Sequence, residues 1–477
     1  MIKQQKQYNK KCQVFTPQNY VETLLDYIDY NEECFGKKIL ENSCGDGNIL
    51  SSIVRRYIHN CKKRNLPVDL IARGLETDIY GVEIDPEQYK KCINKLTDIL
   101  NKEQIPIIPW TNICNADYLR LTYQEDFDYI VGNPPYITYS ELGFEERSYL
   151  KVNFNSCKKG KFDYCYAFIE KSVRELSPNG KMSYLIPSSI FKTVFGKKLR
   201  DIILKYTKVI DDFTSENMFS QALVKSSIIV FEKNENNTHI EYKDRVKNIY
   251  ERIFMEKLKN KWFFLEVENE KHKTHRFGDY FNVSHVVATL LNKTFILKDW
   301  KYVDGFYEYN NFQIEEDLIK DTCTPRSLRY NTNEKIIFPY YYKDDKLHKY
   351  SEQEFKTIFP KGYKYLQSYR KELLKRKSDR TAQWFEYGRS QALNHINKDK
   401  LLISTIITNS VSLYKIPSEC IPYAGMYIIP KCKSFSLDDA KRILESKMFL
   451  SYVQNVGIHI SGESVRITSK DIMDFRF

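Results

Sequence analysis

Short apolar runs alternate with amphipathic stretches through the first half of the chain. Apolar residues recur at helical spacing from Val21 to Ile28, and the pair Thr16-Pro17 before them predicts a helix start with Thr16 as N-cap. Helical patterns also separate the later apolar runs, so the sequence predicts an α/β fold with a doubly wound sheet. The seven runs that predict its strands, the last two as an antiparallel pair, are Lys38–Glu41, Gly81–Asp85, Ile113–Asp117, Phe127–Val131, Met182–Pro187, Val209–Phe213 and Ser226–Phe231.

A glycine-containing turn, residues 42–48, follows the first predicted strand and leads into a helix over Ile49–Ile58. Strand, glycine turn and helix in this order are typical of a nucleotide-binding unit, because glycine lets the backbone approach a ligand. Glu83 near the end of the second strand can accept both hydroxyls of a ribose. The gap before that strand is longer than usual, and we assign the excess to a loop near residues 60–77.

Polar and aromatic groups also follow the third strand. Asp117 can accept a hydrogen bond from an adenine amine, and Tyr118 can pack on that ring. Farther along, residues 161–164 lead into a predicted helix that runs to Leu176 and is closed by the Pro-Asn-Gly sequence at residues 178–180.

The fourth strand leads into a stiff polar turn, Gly132-Asn133-Pro134-Pro135-Tyr136. The two prolines fix φ and lack N–H donors. The Asn133 side-chain oxygen and the Pro134 carbonyl can therefore accept both hydrogens of an exocyclic amine, while Tyr136 stacks on its ring. Such contacts localise the lone pair of an adenine N6, and a base held in this way has to be flipped out of the duplex. The turn predicts adenine N6 methylation; a proline-rich turn without chemistry is the alternative.

The chain's positive charge is concentrated in its second half. Residues 241–477 carry 41 Lys and Arg against 31 Asp and Glu, whereas residues 1–240 carry 33 against 31. A basic half with many aromatic residues suits a polyanion with stackable bases, although lysines that serve only solubility remain the alternative. At 477 residues the chain is long enough for two or three domains, and we predict a catalytic domain over 1–240 and a DNA target-recognition domain over 241–477.

Cysteine usage and hydropathy exclude several classes of protein. The 11 cysteines show no CxxC pair and no Cys/His cluster of zinc-finger spacing, so we expect reduced thiols and no metal. The N-terminus lacks the apolar core of a signal peptide, and no apolar run reaches about 18 residues. We expect a protein of the bacterial cytosol that acts on DNA and has no membrane segment.

The order of these motifs resembles the gamma class of N6-adenine DNA methyltransferases, of the TaqI and Eco57I type. The resemblance covers about residues 13–231 and implies a seven-stranded, Rossmann-like domain that uses S-adenosylmethionine. Thr16 would contact the methionine part of this cofactor, Glu83 the ribose, and Asp117 with Tyr118 the adenine. The full set of cofactor residues that the resemblance implies is Thr16, Glu41, Asn42, Ser43, Cys44, Gly45, Gly47, Glu83, Ile84, Asp117, Tyr118, Asn133 and Pro135.

The resemblance also bears on the target base. Asn133, Pro134 and Tyr136 match the catalytic positions, and Phe219 matches an aromatic residue that packs on the other face of the flipped base, with Phe213 as its competitor. One departure is Asn42, where the family often has proline; we expect little effect, because the backbone does most of the binding there.

Beyond residue 240 a weaker resemblance persists, to a target-recognition domain of mixed α+β structure. Residues 281–289 and 384–391 look like recurring segments of that domain, and residues 361–380 predict a basic helix with an apolar stripe. The expected DNA contacts are phosphate-binding Lys371, Lys375 and Arg376 and base-reading Arg389 and Gln391. For residues 384–391 a structural turn is an equally good reading.

The sequence therefore predicts site-specific adenine-N6 methylation of double-stranded DNA, as the modification half of a restriction system. No fused nuclease is expected before the first motif, so a restriction endonuclease would be a separately encoded partner. The alternatives are an RNA adenine methyltransferase, a protein glutamine methyltransferase and a non-enzymatic DNA-binding subunit.

Overall fold

A nine-stranded mixed sheet forms the centre of the first of two units. The computed structural model describes residues 16–124, 126–213, 225–233, 237–245, 248–258, 260–264, 274–460 and 463–477. Within these ranges, the residues up to 264 form the first unit together with residues 458–460, and the remaining residues form the second unit.

Parallel strands fill one half of the large sheet, and helices cover both of its faces. The described helices of the first unit are α1 (Gln18–Asp26), α2 (Asn48–Lys63), α3 (Val68–Asp78), α4 (Pro86–Lys102), α5 (Phe144–Asn153), α6 (Cys165–Glu175) and α7 (Lys197–Ile203). Its sheet strands are β1 (Ile39–Glu41), β2 (Ile79–Glu83), β3 (Ile113–Asn115), β4 (Phe127–Gly132), β5 (Leu176–Pro187), β6 (Thr207–Asp212), β7 (Ser226–Glu232), β8 (His239–Asp244) and β9 (Ile249–Phe254).

The strand order is β3-β2-β1-β4-β5-β7-β6-β8-β9. Strands β1 to β5 run parallel to one another, and β7 runs antiparallel to β5 and β6. The predicted α/β class and the antiparallel pair are thus confirmed. Ile130 and Val131 of β4 are fully buried and belong to the apolar clusters on opposite faces of the sheet, as expected for a central strand.

Three predicted boundaries in the first unit are wrong. The sheet continues through β8 and β9, so the predicted domain boundary at residue 240 falls inside a strand. In strand β8 buried residues alternate with more exposed ones, so the strand has no continuous apolar run that would predict it. Residues 60–77 include helix α3, which buries Ile71 and Leu75 four residues apart, in place of the expected loop. Helix α6 passes directly into β5 at Leu176 without the predicted Pro-Asn-Gly stop.

The second unit combines short helices with small antiparallel sheets. The largest sheet has the order β10-β22-β19-β21. The described helices are α8 (Phe277–Tyr280), α9 (Asn292–Phe295), α10 (Pro325–Arg329), α11 (Glu352–Ile358), α12 (Pro360–Ser368), α13 (Arg370–Leu374), α14 (Leu437–Leu444), α15 (Lys447–Val456) and α16 (Ser469–Met473). Its described strands are β10 (Phe281–His285), β11 (Ile296–Leu297), β12 (Lys301–Val303), β13 (Phe306–Tyr309), β14 (Phe312–Glu315), β15 (Ile319–Thr322), β16 (Glu334–Ile337), β17 (Tyr340–Lys343), β18 (Lys346–Lys349), β19 (Lys400–Ile403), β20 (Ile406–Ile407), β21 (Leu413–Ile416), β22 (Met426–Pro430) and β24 (Val465–Arg466). Strand β23 (Ile458–His459) belongs to the first unit.

The basic segment 361–380 is not one helix. It divides into α12 and α13 at Tyr369. Leu366 and Leu373 of the predicted apolar stripe are buried, but Leu374 is exposed. Leu366 of α12 and Leu373 of α13 therefore pack the two surface helices against the second unit, and Leu374 lies outside this contact. In the described ranges, none of the helices combines the length and apolar character needed to span a bilayer.

Arg376, predicted to contact phosphate, is instead built into the second unit. Its guanidinium donates to the carbonyls of Leu373 (3.0 Å), Thr289 (2.6 Å), Trp384 (2.7 Å) and Glu386 (2.9 Å). Burial lowers the pKa of Arg376. Its donors are thus directed at backbone carbonyls, and the predicted phosphate contact is corrected to a structural role.

Replacing Arg376 by alanine should destabilise the second unit. Carbonyl groups of four residues would lose a charged donor, so we expect the free energy of unfolding to fall by about 2–4 kcal/mol. Denaturant unfolding of the whole chain measures this, with Lys375→Ala as the control. Lys375 is the exposed neighbour, and its loss should change stability by less than about 0.5 kcal/mol. Equal stability of the two variants would contradict the structural role of Arg376.

Candidate active site

Two turns leave the large sheet side by side. Glu41 at the end of β1 pairs with Val131 of the parallel strand β4, so the glycine turn after β1 lies next to the turn that begins at Asn133. The Ser43 hydroxyl donates to the Asn133 backbone carbonyl at 3.1 Å. The carboxyl ends of parallel strands are where α/β folds bind ligands, so these turns form the candidate site.

Thr16 fixes the side chain of Asn133. The Asn133 amide Nδ2 donates to Thr16 Oγ1 at 3.2 Å. Thr16 is buried, and its carbonyl accepts a 2.5 Å hydrogen bond from Asn48 Nδ2 at the start of α2. The NH2 end of the Asn133 amide is therefore turned towards Thr16, and its oxygen end is turned away.

Thr16 does not cap helix α1. Pro17 is the N-cap residue, and its carbonyl accepts from the backbone N–H groups of Tyr20 and Val21. The predicted N-cap role is therefore wrong, because the Thr16 hydroxyl is engaged by Asn133. This leaves the residue inside the candidate site, next to the amide on which the predicted chemistry depends.

The other members of the turn are only partly covered. Pro134 is buried, whereas Pro135 and Tyr136 are half-buried. The Tyr136 hydroxyl itself is buried beside the Ser226 hydroxyl at the start of β7, and burial raises its pKa. The phenol thus stays neutral at neutral pH, and its ring is anchored at the hydroxyl end.

The Glu83 carboxylate connects the glycine turn to the end of β2. Its Oε2 accepts from Gly45 N at 2.8 Å, and its Oε1 accepts from Asp85 N at 2.7 Å. Burial raises the pKa of Glu83, and the two backbone donors work against that increase. A carboxylate has about four acceptor sites, so Glu83 keeps acceptor capacity for ligand hydroxyl groups.

The two glycines of the turn have different surroundings. Both adopt positive φ, 54° for Gly45 and 86° for Gly47. A Cβ atom at Gly45 would meet nothing within 4 Å, whereas one at Gly47 would lie 2.7 Å from Cys92 Sγ of helix α4. Gly45 therefore borders open space that a ligand can occupy, and Gly47 allows close packing of α4 against the turn.

Glu41, Asn42 and Cys44 lie beneath the turn. Among the described residues, Glu41 Oε2 is buried without a hydrogen-bond partner, and burial raises the pKa of this carboxyl well above its usual value. The Asn42 side chain points into the core, where its NH2 group donates to the Ser172 and Tyr184 hydroxyls. Cys44 is buried beside Cys92. Glu41 thus offers an acceptor that suits a charged amine. The Asn42 Oδ1 is likewise buried without a hydrogen-bond partner among the described residues.

The remaining predicted cofactor residues lie in two places, at the edge of the sheet and in the core. Ile84 is exposed next to Glu83, and Asp117 stands at the end of β3 on the same edge of the sheet. The Asp117 carboxylate accepts from Leu119 N at 3.0 Å and pairs with Arg120. The Tyr118 ring is buried in the core, and its hydroxyl donates to Glu175 at 2.6 Å. The predicted ring contact of Tyr118 is therefore wrong.

Two residues, Phe219 and Phe213, are candidates for the aromatic side chain that packs on the other face of the base. Phe219 lies outside the described residues, and its assignment stays a prediction. Phe213 is buried, with its ring 5.1 Å from that of Tyr20 and the Arg245 guanidinium over its face. Phe213 is thus part of the core and does not face the turn.

Sequence reasoning missed one carboxylate next to the proline turn. Asp163 forms a β-bridge with Thr138, and Tyr164 N donates to the Ile137 carbonyl at 2.9 Å. Burial raises the pKa of Asp163 to about 6. The sequence predicts Asp163 only as part of a helix entry, because its partner lies 25 residues away and no local motif joins them.

The remaining predicted DNA contacts lie in the second unit. Lys371, Lys375, Arg389 and Gln391 are exposed, and Arg389 also forms an ion pair with Asp379 at 2.9 Å. A β-bridge joins Arg389 to Ala288, so the segments 281–289 and 384–391 are neighbours. Their exposure allows DNA contact, and these four assignments stay predictions.

The first unit contains a stretch that is similar to known methylases. Residues 62–219 match the family model of the Eco57I restriction-modification methylase. This part of the chain is similar to an Eco57I-type methylase domain. The Type II restriction enzyme and methyltransferase RM.Eco57I of Escherichia coli is 26% identical over 467 residues, covering 79% of this chain and 46% of that protein. The Type II methyltransferase M.AccI of Acinetobacter calcoaceticus is 26% identical over 278 residues, covering 57% and 45%. The chain thus spans about half the length of these curated relatives.

Solved structures support the fold. The Type IIL restriction-modification enzyme MmeI in complex with DNA has a TM-score of 0.61 at 15% identity, covering 96% of this chain and 64% of that chain. The DrdV–DNA complex has a TM-score of 0.55 at 12% identity, covering 87% and 49%. These likenesses extend the fold relationship beyond the Eco57I-type domain into the second unit.

The two glycines of the turn after β1 allow a stability test. Gly47→Ala and Gly45→Ala both place alanine at positive φ, but only the first introduces a clash with Cys92. We expect Gly47→Ala to lower the free energy of unfolding by about 1–3 kcal/mol more than Gly45→Ala does. Denaturant unfolding measures the difference, and adding Cys92→Ala should recover part of it. Equal losses at the two glycines would contradict the close packing of α4.

Proposed function

We propose that this chain is a DNA methyltransferase that transfers a methyl group to N6 of an adenine turned out of the double helix. The observation that carries the proposal is the fixed orientation of Asn133, whose NH2 end is held by Thr16 in a turn stiffened by two prolines. An exocyclic amine beside this turn can donate one hydrogen to the Asn133 side-chain oxygen and the other to the Pro134 carbonyl.

These two acceptors act on the reactivity of the amine. By binding both hydrogens they localise the nitrogen lone pair and direct it away from the ring plane, which positions the nucleophile for attack. Tyr136 holds the extruded base by stacking, and the anchor at its hydroxyl keeps the ring in place. The turn thus binds, orients and activates the amine through neutral groups.

The polar groups around the glycine turn fit S-adenosylmethionine, which supplies an electrophilic methyl group when bound. Glu83 retains acceptor capacity for the ribose hydroxyls, and the unpartnered Glu41 oxygen suits the amino group of the methionine part. Asp117 and the exposed Ile84 are placed to bind the adenine. Gly45 leaves room for the ligand, while Thr16 and Ser43 hold the neighbouring turn.

The second unit is proposed to select the DNA site. Its exposed Lys371 and Lys375 would bind phosphates, and Arg389 with Gln391 would read base edges. The relatives RM.Eco57I and M.AccI support a role in restriction-modification. A separately encoded endonuclease remains part of the proposal, since RM.Eco57I is named as both restriction enzyme and methyltransferase.

Substrate class can be tested directly. The chain is incubated with cofactor labelled in its methyl group and with double-stranded DNA, RNA or a glutamine-containing protein substrate. Label in DNA, located on adenine N6 after digestion, is the expected result. Label only in RNA or protein would overturn the proposal, as would label on cytosine.

Asn133→Ala should abolish most of the turnover. The variant loses an acceptor for the target amine but keeps the cofactor groups, so the rate should fall by a factor of about 10²–10³ while cofactor affinity changes only a few-fold. Single-turnover methylation and calorimetry measure the two quantities. Asn94→Ala, an exposed asparagine on α4, serves as the control. Near-normal turnover in Asn133→Ala would remove the catalytic assignment.

Glu83→Ala should weaken cofactor binding. Charge-assisted hydrogen bonds to ribose hydroxyls contribute roughly 1.5–3 kcal/mol, so we expect affinity to fall about tenfold or more. Calorimetry with S-adenosylmethionine measures it, and a melting curve checks that the glycine turn remains folded. Glu87→Ala changes an exposed carboxylate four residues away and should bind normally. Unchanged affinity in Glu83→Ala would place the ribose contact elsewhere.

A further inference from the structure

Lysines and exposed apolar side chains lie together at one edge of the first unit. The loop at residues 158–161 packs on the turn at residues 190–196, since a Cβ atom at Gly160 would lie 2.0 Å from the Phe195 ring. Val194 and Phe195 expose 66% and 44% of their surface, which is unusual for apolar residues. We name this surface the basic rim; its members are Lys158, Lys159, Lys161, Val194, Phe195 and Lys198.

The turn that presents the two apolar side chains is held firmly. Buried Arg200 donates to the carbonyls of Ile190 (2.6 Å), Thr193 (2.9 Å) and Asn260 (3.0 Å). The Thr193 hydroxyl is also 3.0 Å from the Tyr166 hydroxyl. Burying an arginine is costly unless its donors are satisfied, and here they are used to fix the turn. Val194 and Phe195 are therefore exposed on an ordered backbone.

The basic rim borders the candidate active site. Strands β4 and β5 are parallel neighbours, with Gly132 paired to Tyr184, so the segments that follow them leave the sheet at the same edge. The turn at 190–196 follows β5, and the proline turn follows β4. From the other side, the bridge between Thr138 and Asp163 brings the end of the lysine loop next to the proline turn.

Charge determines the kind of partner. Among the described residues, none of the four rim lysines has a carboxylate within ion-pair distance, unlike the adjacent Lys197, which pairs with Asp201 at 2.8 Å. Unpaired lysines beside an exposed aromatic ring suit a strand with a charged backbone and stackable bases. A protein partner would call for complementary carboxylates and a wider apolar patch.

We propose that the basic rim binds the DNA strand that carries the target adenine. The lysines bind the phosphates that flank the extruded nucleotide, and Val194 and Phe195 pack against the bases left unstacked beside it. This inference rests on the proposed function and adds a DNA-binding surface within the catalytic unit, in addition to the one proposed for the second unit.

The lysines are tested through the salt dependence of DNA binding. The full chain with Lys158, Lys159, Lys161 and Lys198 changed to alanine is titrated with labelled double-stranded DNA at several salt concentrations. Each lost phosphate contact should reduce the slope of log affinity against log salt by about 0.9, so a decrease of about three to four is expected. The matched control changes Lys63, Lys90, Lys91 and Lys102, which are exposed lysines on α2 and α4.

Two outcomes separate this inference from the proposed function. If the chain methylates adenine but the rim variant keeps the wild-type salt slope, the proposed DNA binding by the basic rim is wrong and the proposed function still holds. A reduced slope in the rim variant, with a wild-type slope in the control, supports the rim even if the methylated base is not adenine. Calorimetry with S-adenosylmethionine should give unchanged affinity in both variants, because neither set contacts the cofactor groups.

The apolar pair is tested by base extrusion. Once the methylated site has been located by sequencing, 2-aminopurine replaces the target adenine, and its fluorescence reports the extruded state. Val194→Ser and Phe195→Ala should each lower the fluorescence increase on binding several-fold. Val194→Ser removes the more exposed side chain and avoids the packing of Phe195 on Gly160, so it tests the idea even if Phe195→Ala disturbs the loop. A wild-type increase in both variants would overturn the packing role.

Discussion

Asn133 is held at two points, and the candidate site depends on both. Its side-chain NH2 group donates to Thr16, and its backbone carbonyl accepts from Ser43. These partners come from the segment before α1 and from the turn after β1. The site is therefore correct only when β1 and β4 pair in the observed register. Lys38 secures that register, since its N–H donates to Asp128 and its carbonyl accepts from Tyr129 N. A slip of one residue would turn every side chain of so short a strand to the other face.

Charged side chains that lie inside the protein serve two different purposes. Glu83 uses backbone donors to shape a turn and keeps capacity for a ligand, while Glu41 remains unpaired beneath the same turn. Arg200 and Arg376 donate hydrogen bonds to backbone carbonyls. These bonds fix irregular segments that have no regular hydrogen-bond ladder. The first group is suited to binding and the second to holding loops, although all four side chains are charged types. Their surroundings decide which role each one takes.

Local motifs made much of the site predictable, because the chemistry needs adjacent residues. The proline turn, the glycine turn and Glu83 each lie within a few residues at a strand end, and the α/β order of elements indicated that the turns would meet. The direction of a side chain is a tertiary property, so Tyr118 and Arg376 were predicted to face ligands and instead face the interior. Asp163 was missed for a related reason: only the fold brings it to Thr138. Strand β8 was also not predicted, because its buried residues alternate with more exposed ones and form no apolar run. The predicted domain boundary therefore came too early.

The contact between Thr16 and Asn133 joins residues 117 positions apart, and the one between Tyr27 and Asp211 spans 184. Closing such long loops costs chain entropy before the contacts repay it, so we expect contacts of this kind to form late in folding. The Asn133 amide is consequently oriented only after the parallel strands have assembled around β4. A partly folded chain can contain the whole proline turn and still lack the geometry that gives it chemistry, so catalytic competence and completion of the sheet arrive together.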